Sequence, residues 1–349
     1  MSFRFAFIGF RHAHILDLYR RVVADAELTV VAACEADPAA AAAMRAAGIH
    51  ITHTDADSFW DDLAAGRVPC DVVAVGDTFD RRGGHIIRAL TLGKHVISDK
   101  PVCTRLDELA RIADLVAARG LALGCMLDLR DSAAYVGLHD LVQSGALGPI
   151  QAIGFGGQHP LLLGQRPDWY FEPGRQGGTI NDIAVHACDA IPWITGVEVA
   201  TVNAARTWQG FYHAAPEFHD AGQVMLTLAD GCGVLGDVSY FAPDSFGYAL
   251  PYYWRMTLWG RDGVAETALN ATSITVHRRG ASTAENLPLP AARPGGYLAA
   301  FLRELSGQSA VNDLTTAQVL RASRVALIAQ DAADRSLCHV PVGPRMEGG

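Results

Sequence analysis

Up to about residue 121 the chain alternates short apolar runs with segments of helical periodicity. The runs are FRFAFI (3–8), LTVVAAC (28–34), DVVAV (71–75), KHVIS (94–98) and LALGCML (121–127). Strands without an alternating polar face, separated by helices, predict a parallel sheet covered on both sides. The helix after the second run is marked at both ends: Asp37 is placed to cap it, Pro38 takes its first position and Gly48 stops it. From about residue 150 the pattern changes to longer alternating segments joined by hairpin signals, Asp230-Gly231 in VMLTLADGCGVLGDVSYF and later Asp262-Gly263. These predict an antiparallel or mixed sheet. Two helical stretches, GYLAAFLRELSG and TTAQVLRASRVALIAQDAA, either cover that sheet or return to the first domain.

Composition narrows the function classes. Half of the 349 residues are hydrophobic, enough for two domains with cores of their own. The net charge is -9 and there is no dense Lys/Arg run, so a nucleic-acid footprint is missing and a small-molecule partner is expected. The start, MSFRFAFIGF, reads as a strand rather than a signal peptide, which points to the cytoplasm. The longest uncharged stretch, 144–165, is interrupted by Pro149, His159, Pro160 and several glycines and does not suit a membrane helix. Seven cysteines (34, 70, 103, 125, 188, 232, 338), odd in number and without a C-x-x-C pair, fit reduced, mostly packed thiols.

A doubly wound sheet binds ligands beyond the carboxyl ends of its strands, so the first strand-to-helix turn is the place to look. Here FIGFRHAH keeps Gly9 for the tight turn but puts Phe10, Arg11 and His12 where a dinucleotide fingerprint would continue with glycines. Arg11 either obstructs a pyrophosphate or compensates with a guanidinium, and compensation is favoured because the surrounding signals survive. Glu35, at the end of the second strand, is the candidate for the adenosine ribose hydroxyls, or else merely begins a loop. A carboxylate there favours NAD over NADP. His12 and His14 suggest a metal, but a two-residue spacing at a helix start does not put both rings on one face, and no third ligand is evident.

A second stretch, GKHVISDKP (93–101), ends a buried strand in Asp99-Lys100-Pro101. With GGTINDIAVHACDAIPWITG (177–196) and QSGALGPI (143–150), it resembles the glucose-fructose oxidoreductase and inositol dehydrogenase (Gfo/Idh/MocA) family over most of the chain. The resemblance implies an α/β fold with an N-terminal Rossmann-type parallel sheet (1–121) and a C-terminal α+β domain (122–349) with a large open, mainly antiparallel sheet. It further implies NAD(P)-dependent hydride transfer with a sugar, cyclitol or related polyol, and a homodimer or homotetramer. The family's Glu-Lys-Pro and Asp-x-x-x-His motifs carry over to Asp99-Lys100-Pro101 and to Asp182 and His186. Its Thr-Pro after the third run is Gly76-Asp77-Thr78 here, a departure that puts a carboxylate near the expected cofactor path.

The residue chemistry agrees. At roughly 100° per residue, Asp182, His186 and Asp189 share one side of an otherwise apolar helix, which should turn that side toward a cavity. Pro192 should bend or loosen its last turn. Histidine suits the exchange of a hydroxyl proton, so His186 is the expected base. Lys100 is expected to stabilise developing charge on the reacting oxygen, and Asp182 to orient the imidazole or hold a substrate hydroxyl. Gln158, His159, Trp169, Tyr170 and Arg175 are weaker candidates for the substrate pocket, and no spacing marks a metal ligand set. Two rivals stand beside the dehydrogenase: a non-catalytic dinucleotide- or sugar-binding regulator, and a redox-assisted glycosidase or transferase with tightly held NAD.

Overall fold

A computed structural model describes residues 2–343, which divide into two compact units: 2–126 with 297–320, and 127–296 with 321–343. The first unit alternates β1 (Phe3–Ile8), α1 (His14–Ala24), β2 (Leu28–Cys34), α2 (Pro38–Ala46), α3 (Ala56–Ala64), β3 (Val72–Val75), α4 (Phe79–Thr91), β4 (His95–Ser98), α5 (Leu106–Arg119) and β5 (Leu123–Cys125). All pairings are parallel and the strand order is β2-β1-β3-β4-β5. Order therefore reverses between β1 and β3, whose carboxyl ends bracket the place where such sheets hold ligands.

The α2 boundaries follow the expected chemistry: Asp37 Oδ1 accepts the Ala40 N–H at 2.8 Å, Pro38 opens the helix, and Gly48 takes φ +83° just beyond it. Phe5, Phe7, Val72, Ala74 and Ile97 are fully buried, each large side chain contributing on the order of 2 kcal/mol. A late helix, Gly296–Leu305, adds Tyr297, Leu298 and Phe301 to this core. Gly124 makes that contact feasible, since a Cβ there would lie 2.7 Å from the Phe301 ring.

The second unit contains α6 (Ala133–Gln143), β6 (Ile150–Pro160), a π-helical turn (Ile180–Ala184) leading into α7 (Val185–Thr195), then β7 (Val199–Trp208), β8 (Ala221–Leu228), β9 (Gly233–Ala242), β10 (Arg255–Gly260), β11 (Gly263–Thr267), β12 (Ser273–Arg278) and β13 (Glu285–Pro288). The late helix just described is α8; α9 (Thr316–Asp334) and β14 (Cys338–Pro341) complete the described chain. The sheet order is β13-β12-β11-β10-β6-β9-β8-β7-β14, antiparallel except for the parallel pair β6–β9. Asp230-Gly231 turns β8 into β9 and Asp262-Gly263 turns β10 into β11, as expected. Burial alternates along β8 and β9, so one side of the pleat packs and the other is bare.

Two local expectations need correction. Residues 180–184 form a π-turn, so a uniform 100° step does not describe the stretch leading to His186. Every residue from Ile180 to Ile194 is buried, so the side carrying Asp182 and His186 lies inside the protein together with the rest of the helix. Pro192 neither ends nor visibly loosens it: α7 runs to Thr195 and closes on Gly196 at φ +72°, whose N–H donates to the Pro192 carbonyl at 2.9 Å.

Candidate functional site

In the first unit, the strand ends gather most of the expected cofactor residues. Gly9 follows β1 at φ +78°, and a Cβ on it would sit 2.5 Å from the Asp77 Cα, so this close approach of the β1 and β3 ends requires glycine. The next glycine after β3, Gly76, lies against α1: its Cβ would meet the Ile15 side chain at 2.5 Å. No side chain caps α1, and among its first N–H groups Leu16 bonds back to the Ala13 carbonyl at 3.1 Å.

Glu35 is where the pattern put it, but its carboxylate is engaged by backbone. Oε2 accepts the Phe10 N–H at 2.6 Å and Oε1 the Asp37 N–H at 2.8 Å, tying the turn after β1 to the turn after β2. Burial raises the Glu35 carboxyl above its usual range, and those two bonds oppose the shift. Arg11 reaches Asp37 Oδ2 at 3.4 Å. Asp77 accepts the Thr78 N–H at 2.7 Å and meets His85 Nε2 at 3.1 Å; Thr78 donates its hydroxyl to Asp80 at 2.6 Å.

Asp99 is fully buried. Its Oδ2 lies 2.8 Å from Arg82 Nη2 and 2.5 Å from His12 Nδ1, while Oδ1 lies 3.2 Å from His14 Nδ1. Burial alone would raise this carboxyl, but Arg82, His12 and His14 outweigh it and hold it well below the usual range. Burial conversely pushes His12 down to about 4, against the pull of Asp99, so its imidazole is neutral near neutral pH. Lys100 is 4% exposed and joins Pro101 through a cis peptide; the carbonyls of Lys100 and Pro101 both accept from Arg82 Nη1. The expectation that His12 and His14 could not converge fails because α1 begins only at His14: His12 lies in the preceding turn, the rings are 4.4 Å apart, and Asp99 is a third potential ligand.

In the second unit, Asp182 and His186 are 2% and 6% exposed. The Tyr240 hydroxyl makes a short bond to Asp182 Oδ2, and Gln176 Nε2 donates to the same oxygen at 3.2 Å and to the Tyr240 oxygen at 3.3 Å. Burial, reinforced by Asp182, raises the Tyr240 phenol well above its usual value, so it remains a donor. His186 sits edge-on to Trp254, ring centres 5.5 Å apart, with Nδ1 3.8 Å from Asp128. His159 stands edge-on to Tyr240, Tyr253 and Trp254, and its Nε2 meets the Tyr253 hydroxyl at 3.2 Å. Arg166 stacks between Tyr170 and Tyr240 at 4.6 and 4.9 Å while donating to the Pro160 and Leu161 carbonyls. One cluster therefore combines a carboxylate, imidazoles, a guanidinium and phenols against aromatic walls.

Other candidates lie elsewhere. Asp189, expected beside Asp182 and His186, instead forms a buried two-pronged ion pair with Arg130. Gln158 neighbours His159 on β6, so the pleat sends it to the opposite side of the sheet, where it donates to the Asp237 carbonyl at 3.0 Å. Trp169 and Tyr170 pack on each other at 4.3 Å and are almost fully buried, with Tyr170 joining the cluster through the Arg166 guanidinium; Arg175 pairs with Glu172. Arg82, Gln176, Tyr240 and Arg166 were not anticipated. A buried arginine on α4 has no periodic signature, and Tyr240 occupies an ordinary apolar position of a strand.

Two family models match: the NAD-binding Rossmann-fold domain of the oxidoreductase family over residues 3–126 and the GFO/IDH/MocA C-terminal domain over 135–266. The chain belongs to the Gfo/Idh/MocA oxidoreductase family. It is 27% identical over 234 residues to inositol 2-dehydrogenase 3 of Saccharopolyspora erythraea, covering 65% of this chain and 62% of that one. It is 31% identical over 178 residues to the 1,5-anhydro-D-fructose reductase of Ensifer adhaerens, covering 50% and 48%. The chain thus matches less than two thirds of the length of either relative. Among solved structures, an NAD(H)- and scyllo-inositol-bound scyllo-inositol dehydrogenase from Lactobacillus casei superimposes with a TM-score of 0.74 at 19% identity, covering 98% of this chain and 99% of that one. An aldose-aldose oxidoreductase from Caulobacter crescentus, complexed with glycerol, gives 0.75 at 19%, covering 96% and 98%. At these identities the likeness defines the fold. Among the described residues no helix is long and apolar enough to cross a membrane.

Proposed function

We propose that this chain is an NAD(H)-dependent oxidoreductase of a sugar, cyclitol or related polyol, with NAD preferred over NADP. The observation that carries the reading is the hydrogen-bonded Tyr240–Asp182–Gln176 group one helical turn before His186, in a family whose other unit carries the NAD-binding fold. The first unit suits the cofactor: Gly9 leaves a cradle that a Cβ would fill, and α1 has no capping side chain. Gly9, Phe10, Arg11 and His12 would border the pyrophosphate, Glu35 the ribose, and Gly76, Asp77, Thr78, Asp99, Lys100 and Pro101 the nicotinamide half. Bound nicotinamide supplies a hydride acceptor or donor at its ring.

The protein's part is to hold and move the proton. Lys100 donates a hydrogen bond to the reacting oxygen and stabilises negative charge developing there. His186 exchanges the hydroxyl proton at Nε2. Asp182, its Oδ2 held by Tyr240 and Gln176, offers Oδ1 to a neighbouring substrate hydroxyl. His159 and Arg166 add polar edges, and Trp254 supplies an apolar wall that excludes water. The bare side of the nine-stranded sheet, with Met225, Leu235 and Trp259 at 44, 63 and 53% exposure, supports a homo-oligomer through that side. Seven cysteines outside disulfides accord with a reducing, cytoplasmic setting.

The test is calorimetry of NAD binding, followed by nicotinamide reduction with a panel of sugars and cyclitols. The reading expects both binding and turnover, with His186→Ala removing the pH-dependent limb of the rate. Binding without turnover across the panel favours the regulator instead.

A further inference from the structure

The pair His12/His14 belongs to no step of the proposed hydride transfer, yet the fold joins it to a residue 85 positions away. His12 Nδ1, His14 Nδ1 and the Asp99 carboxylate point at one another from the turn after β1, the start of α1 and the end of β4, with the three ligand atoms within 4.8 Å. We propose that His12, His14 and Asp99 form a binding site for a divalent first-row transition metal, best matched by Zn2+.

Two features support this assignment. The donor set is two imidazoles and one carboxylate, the borderline nitrogen and oxygen ligands that Zn2+ prefers. A tetrahedral ion with bonds near 2.0 Å separates its ligand atoms by roughly 3.3 Å. The observed 3.2 Å from His14 Nδ1 to Asp99 Oδ1 already matches, while His12 Nδ1 lies 2.5 Å from the other oxygen, Oδ2, which Arg82 also holds, so the His12 ring must move toward Oδ1 for one oxygen to serve the ion. Second, Asp99 is oriented from behind: Arg82, fully buried, holds Oδ2 at 2.8 Å and is itself fixed by the carbonyls of Asp77 and Lys100. Carboxylates that ligate a metal are usually themselves hydrogen-bonded by an outer group, the place that Arg82 takes here. Arg82 also cancels the Asp99 charge, so affinity must come from the imidazoles and geometry rather than from excess negative charge.

The chemistry available is limited and specific. Three protein ligands leave a fourth position open, as in metal sites that accept water or an oxygen of a bound molecule. The site lies in the turn that follows Gly9, where an oxyanion would approach α1. Half-exposed His14 provides the entry side, and Phe79 packs edge-on to His12 at 5.5 Å on the other.

The experiment uses the whole chain without nicotinamide, so its outcome is independent of the dehydrogenase reading. Protein stripped with a chelator is titrated with Zn2+ by calorimetry, and with Co2+ while its visible absorption is recorded. The proposal expects one ion per chain and the intense visible bands of a four-coordinate Co2+ site. His14→Ala, at a half-exposed position, should weaken Zn2+ at least tenfold, and His12→Ala at least as much. Unchanged circular dichroism and thermal midpoint in His14→Ala exclude unfolding as the cause. Failure of the wild type to bind a stoichiometric ion, or binding that is unaltered in both variants, overturns the proposal.

Discussion

Arg130→Met tests how the helix bearing His186 is held. Arg130 and Asp189 are 0 and 1% exposed and meet through two prongs, Nε to Oδ2 at 2.8 Å and a shorter Nη2–Oδ1 bond, while the guanidinium lies 5.4 Å from the Trp193 ring on the same helix. Methionine approximates the volume of the arginine stem but leaves the Asp189 carboxylate buried without its cation. Breaking one side of a buried pair costs about 3–5 kcal/mol, a large share of the roughly 5–15 kcal/mol that stabilises a domain. Replacing both partners, Arg130→Met with Asp189→Leu, removes the stranded charge and should recover most of that loss. Urea unfolding followed by circular dichroism and tryptophan fluorescence measures all four corners of the double-mutant cycle. The single variant should unfold at clearly lower denaturant, and the double variant should lie nearer to wild type. If Arg130→Met costs less than about 1 kcal/mol, or the double variant is worse than the single by the full cost of a second lesion, the pair does not hold α7 as argued.

Three further outcomes follow from the same geometry. Asp131 is pushed up to about 6, chiefly by burial, with Arg293 opposing. A carboxyl raised in the folded state stabilises it fully below the unfolded value near 3.8, and this contribution is lost as pH rises through 6. Asp131→Asn should therefore flatten stability between these pH values and gain on the order of 1–3 kcal/mol at pH 8, read by denaturation at each pH; an unchanged slope refutes it. Arg11→Gly should weaken NAD and lose part of its salt dependence in calorimetry, whereas tighter binding would mark Arg11 as an obstruction. Glu35→Ser should narrow the preference for NAD over NADP and also lower the thermal midpoint, because two backbone N–H groups lose a charged acceptor; an intact preference would move ribose recognition elsewhere.

The parts of this molecule that could be read from its sequence are those governed by local pattern. The runs FRFAFI, LTVVAAC and DVVAV are buried strands because apolar residues on both sides of a pleat have no other stable location. Asp37-Pro38 and Asp230-Gly231 act through bonds and dihedrals only a few residues long. The site depends on long-range convergence, which local pattern does not encode. Asp99 meets His12 across 87 positions, and Tyr240 meets Asp182 across 58. Spacing alone makes Asp189 a third member of a polar stripe, whereas the fold pairs it with Arg130, 59 positions away. The π-turn at Ile180–Ala184 was invisible for a related reason: periodicity assumes a constant step, and the turn is kept by contacts such as Gln330 Oε1 accepting the Ile180 N–H at 3.0 Å. Lys100 and His186 were identified through family resemblance, and their burial could not have been read from their neighbours alone.

The central claim is that a carbon-bound hydrogen passes to nicotinamide while Lys100 stabilises the reacting oxygen. It is tested most directly by a single turnover in which wild type and Lys100→Met, each loaded with NAD, meet a sugar or cyclitol deuterated at its carbinol carbons. Mass spectrometry of the recovered cofactor reads the outcome. The account predicts one deuterium in the nicotinamide from wild type, and a rate lower by at least a hundredfold (about 2.7 kcal/mol) in Lys100→Met with NAD binding retained. Cofactor recovered without deuterium from wild type on every substrate that it binds, or transfer at an undiminished rate in the variant, would contradict it.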